Sequence, residues 1–292
     1  RDATALPEPP REHRTDVIIV GGGIAGLAAA RAAINHGIDD FALLELHDAP
    51  GGNSRGHSIA GLPCPLGAHY LPKPGREARE VAQWLHEIGV ARHELGRTVY
   101  DERHLCHSPQ ERLFIDGAWH EGLLPPADPS SATAAQYRRF ARAVNDVQAL
   151  GFALPTRRAP WTAAHATLDA QTFAQWLDAQ QLDDARLRWY LDYCCRDDYG
   201  AAANTVSAWA GLHYFASRHG FHAPGDEEGE RDAVLTWPQG NAWLVPRLAA
   251  PLGPRWHGGL VVRRIAVERQ RVIVDAWDEA SRSVQRLSAR EA

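Results

Sequence analysis

Three glycines and one acid carry the clearest chemistry in this 292-residue chain: Gly21, Gly23 and Gly26, spaced Gly-x-Gly-x-x-Gly, and Glu45, nineteen positions further on. Such a pattern binds the phosphates of a dinucleotide. Gly21 permits a tight turn, Gly23 lets the backbone approach a pyrophosphate, and Gly26 lets a helix pack close to a strand. Ile24 and Ala25 open that helix, whose free N–H groups and partial positive charge favour the pyrophosphate. Glu45, followed by Leu46, stands at the distance from which a carboxylate reaches a ribose hydroxyl. The glycines leave open which dinucleotide is bound.

The flanking residues supply the elements that must hold this turn. Asp16-Val17-Ile18-Ile19-Val20 is an apolar, β-branched strand, and Ala28, Ala29, Ala30, Ala32 and Ala33 make a slim helix. Gly37 fits its C-terminal cap, and Phe41 to Leu46 reads as a second strand. The expected unit is βαβ and the fold class α/β.

Bulk properties narrow the field. A chain of this length forms one large or two smaller domains with a true core. Hydrophobic content of 45% and charged content of 23% are ordinary for a globular protein. A net charge of −5 offers no bulk attraction to nucleic acid. No apolar run approaches the ~18–20 residues of a membrane span. A soluble protein is expected, cytoplasmic in preference to periplasmic. Residues 1–15, rich in Pro, Arg and Glu, read as a disordered lead-in. There is no methionine, and the run Arg286–Ala292 reads as a strand in mid-course, so the sequence is expected to be part of a longer chain.

Other candidate chemistry is weaker. Cys64, Cys106, Cys194 and Cys195 are too few and too irregular for a disulfide framework or a zinc site. His104 and His107 flank Cys106 without a second ligand pair, so a loop is expected there and no metal site. Trp176, Trp189, Tyr190, Tyr193, Trp209 and Tyr214 are expected to pack as core, with a substrate wall as the alternative. The cluster from Tyr193 to Gly200 is the densest polar-aromatic stretch, and nothing near its cysteines stabilises a thiolate.

Periodicity supplies the frame. Residues 77–89 read as a helix, and residues 98–124 as short strands with a turn at Asp116-Gly117. Pro125, Pro126 and Pro129 break the chain, and 132–219 has a helical texture. An acidic loop spans 221–232. Leu260 to Trp277 reads as a β-hairpin followed by a third strand from Ser283.

The stretch Gly51-Gly52-Asn53-Ser54-Arg55, followed by Gly67-Ala68-His69-Tyr70, resembles the flavin-dependent amine oxidases and their relatives, the phytoene desaturases and protoporphyrinogen oxidases. The resemblance implies a glutathione-reductase-type Rossmann-like domain that binds FAD, with an inserted, largely helical substrate domain. It places Gly51, Gly52, Asn53 and Arg55 near the phosphates, and Gly67, Ala68 and His69 against the flavin ring. Arg55 comes two positions later than the usual arginine. Residues 236–246 are similar to the segment that returns to the FAD domain, with Gly240-Asn241 in place of a glycine pair. Val262 matches a valine whose backbone meets the adenine. The implied divisions are 1–15 lead-in, 16–97 first FAD part, 98–235 substrate side, and 236–292 return segment.

The implied activity is a two-electron (hydride) oxidation of a small organic substrate, an amine being favoured, with O₂ or another acceptor reoxidising the flavin. Three alternatives stay open: a flavin-dependent desaturase of an apolar substrate, an NAD-dependent dehydrogenase, and a non-catalytic FAD-binding protein. Lys73, the sole lysine, is misplaced for the lysine that amine oxidases hold near the flavin. The second flavin segment is expected beyond Ala292, and no catalytic residue is assigned. No oligomeric state is assigned.

Overall fold

The computed structural model describes residues 12–106, 111–218, 220–223 and 234–292. The chain divides into two compact units, 1–71 with 236–292, and 72–235. Residues 72–97 therefore group with the intervening unit, whereas the sequence division places that boundary after residue 97.

The first unit is built on the expected βαβ. Val17–Val20 and Phe41–Leu44 pair in parallel, and Trp256–His257 adds a third parallel strand beside Phe41–Leu44. All four residues of the central strand are buried, as a strand covered on both faces requires. That strand ends at Leu44, so Glu45 and Leu46 lie just past it. The helix Ile24–Asn35 buries Leu27, Ala30 and Ala33, and the alanines keep it thin against the sheet. Gly37, at φ +74°, closes its C-terminus in the left-handed conformation that glycine adopts most readily.

A second sheet of this unit orders four strands as Glu12–Arg14, Ser283–Ala289, Arg271–Asp278 and Leu260–Glu268. The hairpin and third strand form as the β-branched runs predict. Glu12–Arg14 is a correction. The lead-in was expected to be disordered through residue 15, but these residues pair in parallel with Arg286–Ser288. Thr15 is buried and bonds Asp40 and Ser288. Residues 1–11 lie outside the described residues. Ile18, Ala42, Leu44, Leu260, Val274, Ala276, Leu287 and Ala289 form one apolar core in this unit.

In the second unit, five helices span Ala132–Gln148, Ala163–Asp169, Phe173–Ala179, Ala185–Tyr199 and Ala208–Ala216. Their cores meet around Tyr137, Phe140, Phe173, Leu187, Leu191, Leu212 and Phe215. Ser131, Thr172, Asp184 and Ser207 cap helix N-termini through side-chain oxygens. A further helix, Arg79–Glu87, falls inside the expected 77–89. Two short hairpins, Ala91–Glu94 with Arg97–Tyr100 and Arg112–Ile115 with Ala118–Glu121, also belong to this unit. Both central residues of each turn have positive φ, the mirror-image geometry that matches strand twist. Most of the expected acidic loop, residues 224–232, lies outside the described residues.

Among the described residues, no helix is long and apolar enough to cross a membrane.

Candidate functional site

Three glycine segments far apart in sequence meet in the first unit. Gly21, at φ +100°, turns the chain off the first strand, and its N–H bonds the carbonyl of Leu44 at 2.8 Å. Gly26 is required by geometry, because a methyl group there would overlap the Gly21 carbonyl oxygen and lie 3.0 Å from its carbon. Gly22 is also constrained. A methyl there would sit 2.5 Å from the Trp256 indole, which lies over the turn.

Gly51-Gly52 docks directly on this turn. The Gly51 N–H bonds the Gly22 carbonyl at 2.8 Å, and Gly23 bridges Gly51 in parallel. Gly52, at φ +55°, leaves only 3.0 Å between a would-be methyl and the Gly23 Cα. Sequence reasoning assigns Gly23 to a ligand approach. The structure adds that the close approach constrains Gly52 rather than Gly23, since a methyl on Gly23 would lie 3.8 Å from the Gly52 Cα, an ordinary contact.

Gly67 and Ala68 join through Asn53. The Ala68 N–H donates to the Asn53 carbonyl at 3.0 Å, and a methyl on Gly67 would overlap the same carbonyl. The return segment reaches this group too, for Asn241 N–H donates to the Ala68 carbonyl at 3.0 Å. Gly21–Gly26, Gly51–Asn53 and Gly67–Ala68 are thus linked by backbone hydrogen bonds into one cradle. Arg55 and His69 are exposed beside it, as are Ile24, Ala25 and Leu46.

Glu45 is buried, and its carboxylate is already engaged. Oε2 accepts from Gly22 N–H at 2.5 Å and Oε1 from His47 N–H at 2.9 Å. These charge-assisted bonds make it a strut of the glycine turn as well as the candidate ribose ligand, and each oxygen keeps a second lone pair. Spacing alone does not reveal the strut, because its partners come together only in three dimensions.

Val262 lies in the edge strand Leu260–Glu268, opposite Ala276 and next to an irregularity between Val262 and Arg264. The Leu260 N–H, on the outer edge, donates to the Glu45 carbonyl at 2.8 Å. Alternation along an antiparallel strand puts the Val262 N–H on that same edge, two residues on.

The fit to a dinucleotide is favourable. The helix that starts at Ile24 has Gly23 at its cap with no side-chain cap bond, so its first N–H groups stay available for an anion. The glycines leave the backbone of the turn bare of side chains.

The other candidates lie elsewhere. Cys194 and Cys195 are buried in the helix Ala185–Tyr199, and burial pushes both thiols up to about 12, which removes them as thiolate nucleophiles. Trp176 is buried core, Tyr190, Tyr193, Trp209 and Tyr214 pack against that core, and Trp189 is exposed and stacked on Tyr193. His104 ends a 3-10 turn and Cys106 lies in a short strand, while His107 falls outside the described residues. No cluster of three or more metal-ligating side chains occurs among the described residues.

A family of NAD(P)-binding Rossmann-like domains matches residues 19–88. A Mycobacterium tuberculosis protein carrying the name flavin-containing monoamine oxidase AofH is 28% identical over 270 residues, covering 89% of this chain and 53% of that protein. Among solved structures, a putrescine oxidase bound to putrescine superimposes with a TM-score of 0.65 at 23% identity, covering 96% of this chain and 57% of that one. A fatty acid isomerase from P. acnes superimposes with a TM-score of 0.60 at 20% identity, covering 94% and 58%. The chain spans just over half the length of each of these proteins. Residues 19–88 have a Rossmann-like fold, the chain shares its fold with these solved structures, and the resemblance read from Gly51–Arg55 and Gly67–Tyr70 is borne out.

Proposed function

We propose that this chain is the FAD-binding portion of an amine-oxidase-type oxidoreductase. The observation that carries the reading is the docking of Gly51-Gly52 on the Gly21–Gly26 turn, continued through Asn53 to Gly67-Ala68. An NAD-dependent dehydrogenase needs only the first of these three segments. A cradle that runs on past the phosphates suits a longer, two-part cofactor.

In this reading the N–H groups at the start of the helix, from Ile24 to Gly26, hold the pyrophosphate, and exposed Arg55 screens its charge. Glu45 offers its remaining lone pairs to the ribose, and the edge N–H of Val262 meets the adenine. Gly67 and Ala68 present bare backbone to the flavin ring. Bound FAD supplies the two-electron acceptor, and the protein supplies binding, orientation and exclusion of water. The similarity to a named monoamine oxidase supports a small amine as substrate.

Purified full-length protein tests this. Yellow protein with absorbance near ~450 nm that putrescine or another primary amine bleaches supports the reading. Colourless protein that binds NADH sinks it in favour of the dehydrogenase. Bound flavin bleached by an unsaturated apolar compound and by no amine points to the desaturase instead, and bound flavin that no substrate bleaches points to a non-catalytic role.

A further inference from the structure

Three consecutive carbonyls beyond Gly67 are all held by the return segment. Ala68 O accepts from Asn241 N–H at 3.0 Å, His69 O from the Thr236 hydroxyl at 3.0 Å, and Tyr70 O from Asn241 Nδ2 at 2.9 Å. Close approach makes this clamp feasible. Gly240 has φ +61°, and a methyl there would lie 2.6 Å from Pro65 Cβ and 2.9 Å from both Ala68 O and His69 Cα. From the other side, Asn53 grips Ala68 through its carbonyl.

The choice of asparagine is informative. The bond to Tyr70 O fixes which end of its amide is the donor. The other end, Oδ1, is buried without a hydrogen-bond partner. An unpaired buried acceptor is unfavourable, so position 241 bears a cost that alanine would avoid. What alanine cannot supply is the Nδ2 donor. The clamp also consumes carbonyls and spares amides, since the N–H groups of Gly67 and His69 have no partner among the described residues. The segment is left with two fixed donors, one on either side of the bonded Ala68 N–H.

We propose that Asn241, assisted by Thr236, is a positioning residue that fixes residues 67–70 so that the N–H groups of Gly67 and His69 meet the electron-accepting ring of FAD. The proposal rests on the FAD reading above. Fixed donors stabilise the ring more as it gains electrons, so the clamp both retains the cofactor and eases its reduction.

The test uses full-length protein carrying Asn241→Asp, Asn241→Ala, Thr236→Val or Thr236→Ser. Asn241→Asp keeps size and acceptors but turns an oxygen towards Tyr70 O. It is expected to release FAD about fivefold faster or more, the change that loss of one ordinary hydrogen bond produces. Its visible flavin spectrum should shift and its midpoint potential should fall. Asn241→Ala should follow it, Thr236→Val should show a smaller change, and Thr236→Ser should behave as wild type. Amide exchange at residues 67–70 in FAD-free protein should quicken in both Asn241 variants, while the far-ultraviolet circular dichroism stays unchanged. Asn241→Asp with wild-type retention, spectrum and potential overturns this proposal alone. Wild-type protein that takes up no FAD overturns the FAD reading and the proposal together. In that case the exchange rates still show whether the clamp forms.

Discussion

The glycine cradle and the aromatic core of the second unit are both tightly packed, but by opposite means. In the cradle, backbone meets backbone, and the contacts are hydrogen bonds such as Gly51 N–H to Gly22 O and Ala68 N–H to Asn53 O. In the core, side chain meets side chain. Phe140 alone lies within ring contact of Phe173, Trp176, Phe215 and Phe221, at centroid distances from 4.8 to 6.5 Å. Backbone cannot move aside without breaking its own bonds, whereas rings can rotate and resettle. The cradle should therefore resist an added atom at Gly26, Gly52 and Gly67, and the core should be more sensitive to atoms removed.

Phe140→Ala should produce the largest loss of stability, about 3–5 kcal/mol as for other buried aromatics, read from denaturant unfolding. A change below 1 kcal/mol would mean that the core resettles fully. Gly26→Ala should cost roughly 3 kcal/mol, the upper end of ordinary overpacking, and abolish dinucleotide retention, because the new methyl meets a backbone carbonyl. Gly211→Ala is its counterpart in the second unit. There the methyl overlaps the Phe173 ring, which can turn aside where a backbone carbonyl cannot, so the net loss should be only about 1 kcal/mol. If the two glycines proved equally costly, the contrast between backbone and ring contacts would fail.

The smallest effect tests a third kind of contact. Asp275, with its side chain 5% exposed, faces Arg264 and Arg286 directly across the neighbouring strands. The hydrogen bond from Arg286 is the main cause that holds its carboxyl below the usual range. A lowered folded-state value adds stability above the ordinary carboxylate pKa, and that stability is lost as pH falls through the folded value. Asp275→Asn should cost about 1 kcal/mol near pH 7, with half-exposed arginines limiting the effect, and the difference from wild type should shrink in acid. Parallel thermal melts at neutral and acidic pH would show this, and a pH-independent difference would refute it.

How much of this was legible in the sequence follows from how local each constraint is. The turn at Gly21–Gly26 is local, so glycine spacing reports it directly. The turns at Ala60-Gly61 and Leu95-Gly96 have the same positive-φ geometry as Asp116-Gly117, yet only the last carries the strong Asp-Gly signal. Thr172 with Gln175 is a capping box that spacing could have revealed. Glu45 as a strut, Trp256 over Gly22 and Asn241 on Tyr70 all depend on distant segments and leave no periodic trace. Glu12–Arg14 is polar, exposed and only three residues long, so nothing in it announces a strand.

That short strand also bears on the order in which the molecule is made. Its partners, Arg286–Ser288, lie 274 positions away, and Glu291 bridges the dinucleotide strand at Val17. During synthesis from the N-terminus, the glycine turn can form as soon as Phe41–Leu44 emerges. The far side of its strand stays bare until nearly all the remaining described residues have been made. Sequence separation of this kind slows folding more than it weakens the finished fold. A chain stopped before residue 286 would keep its glycine motif and lose the neighbour that seals it.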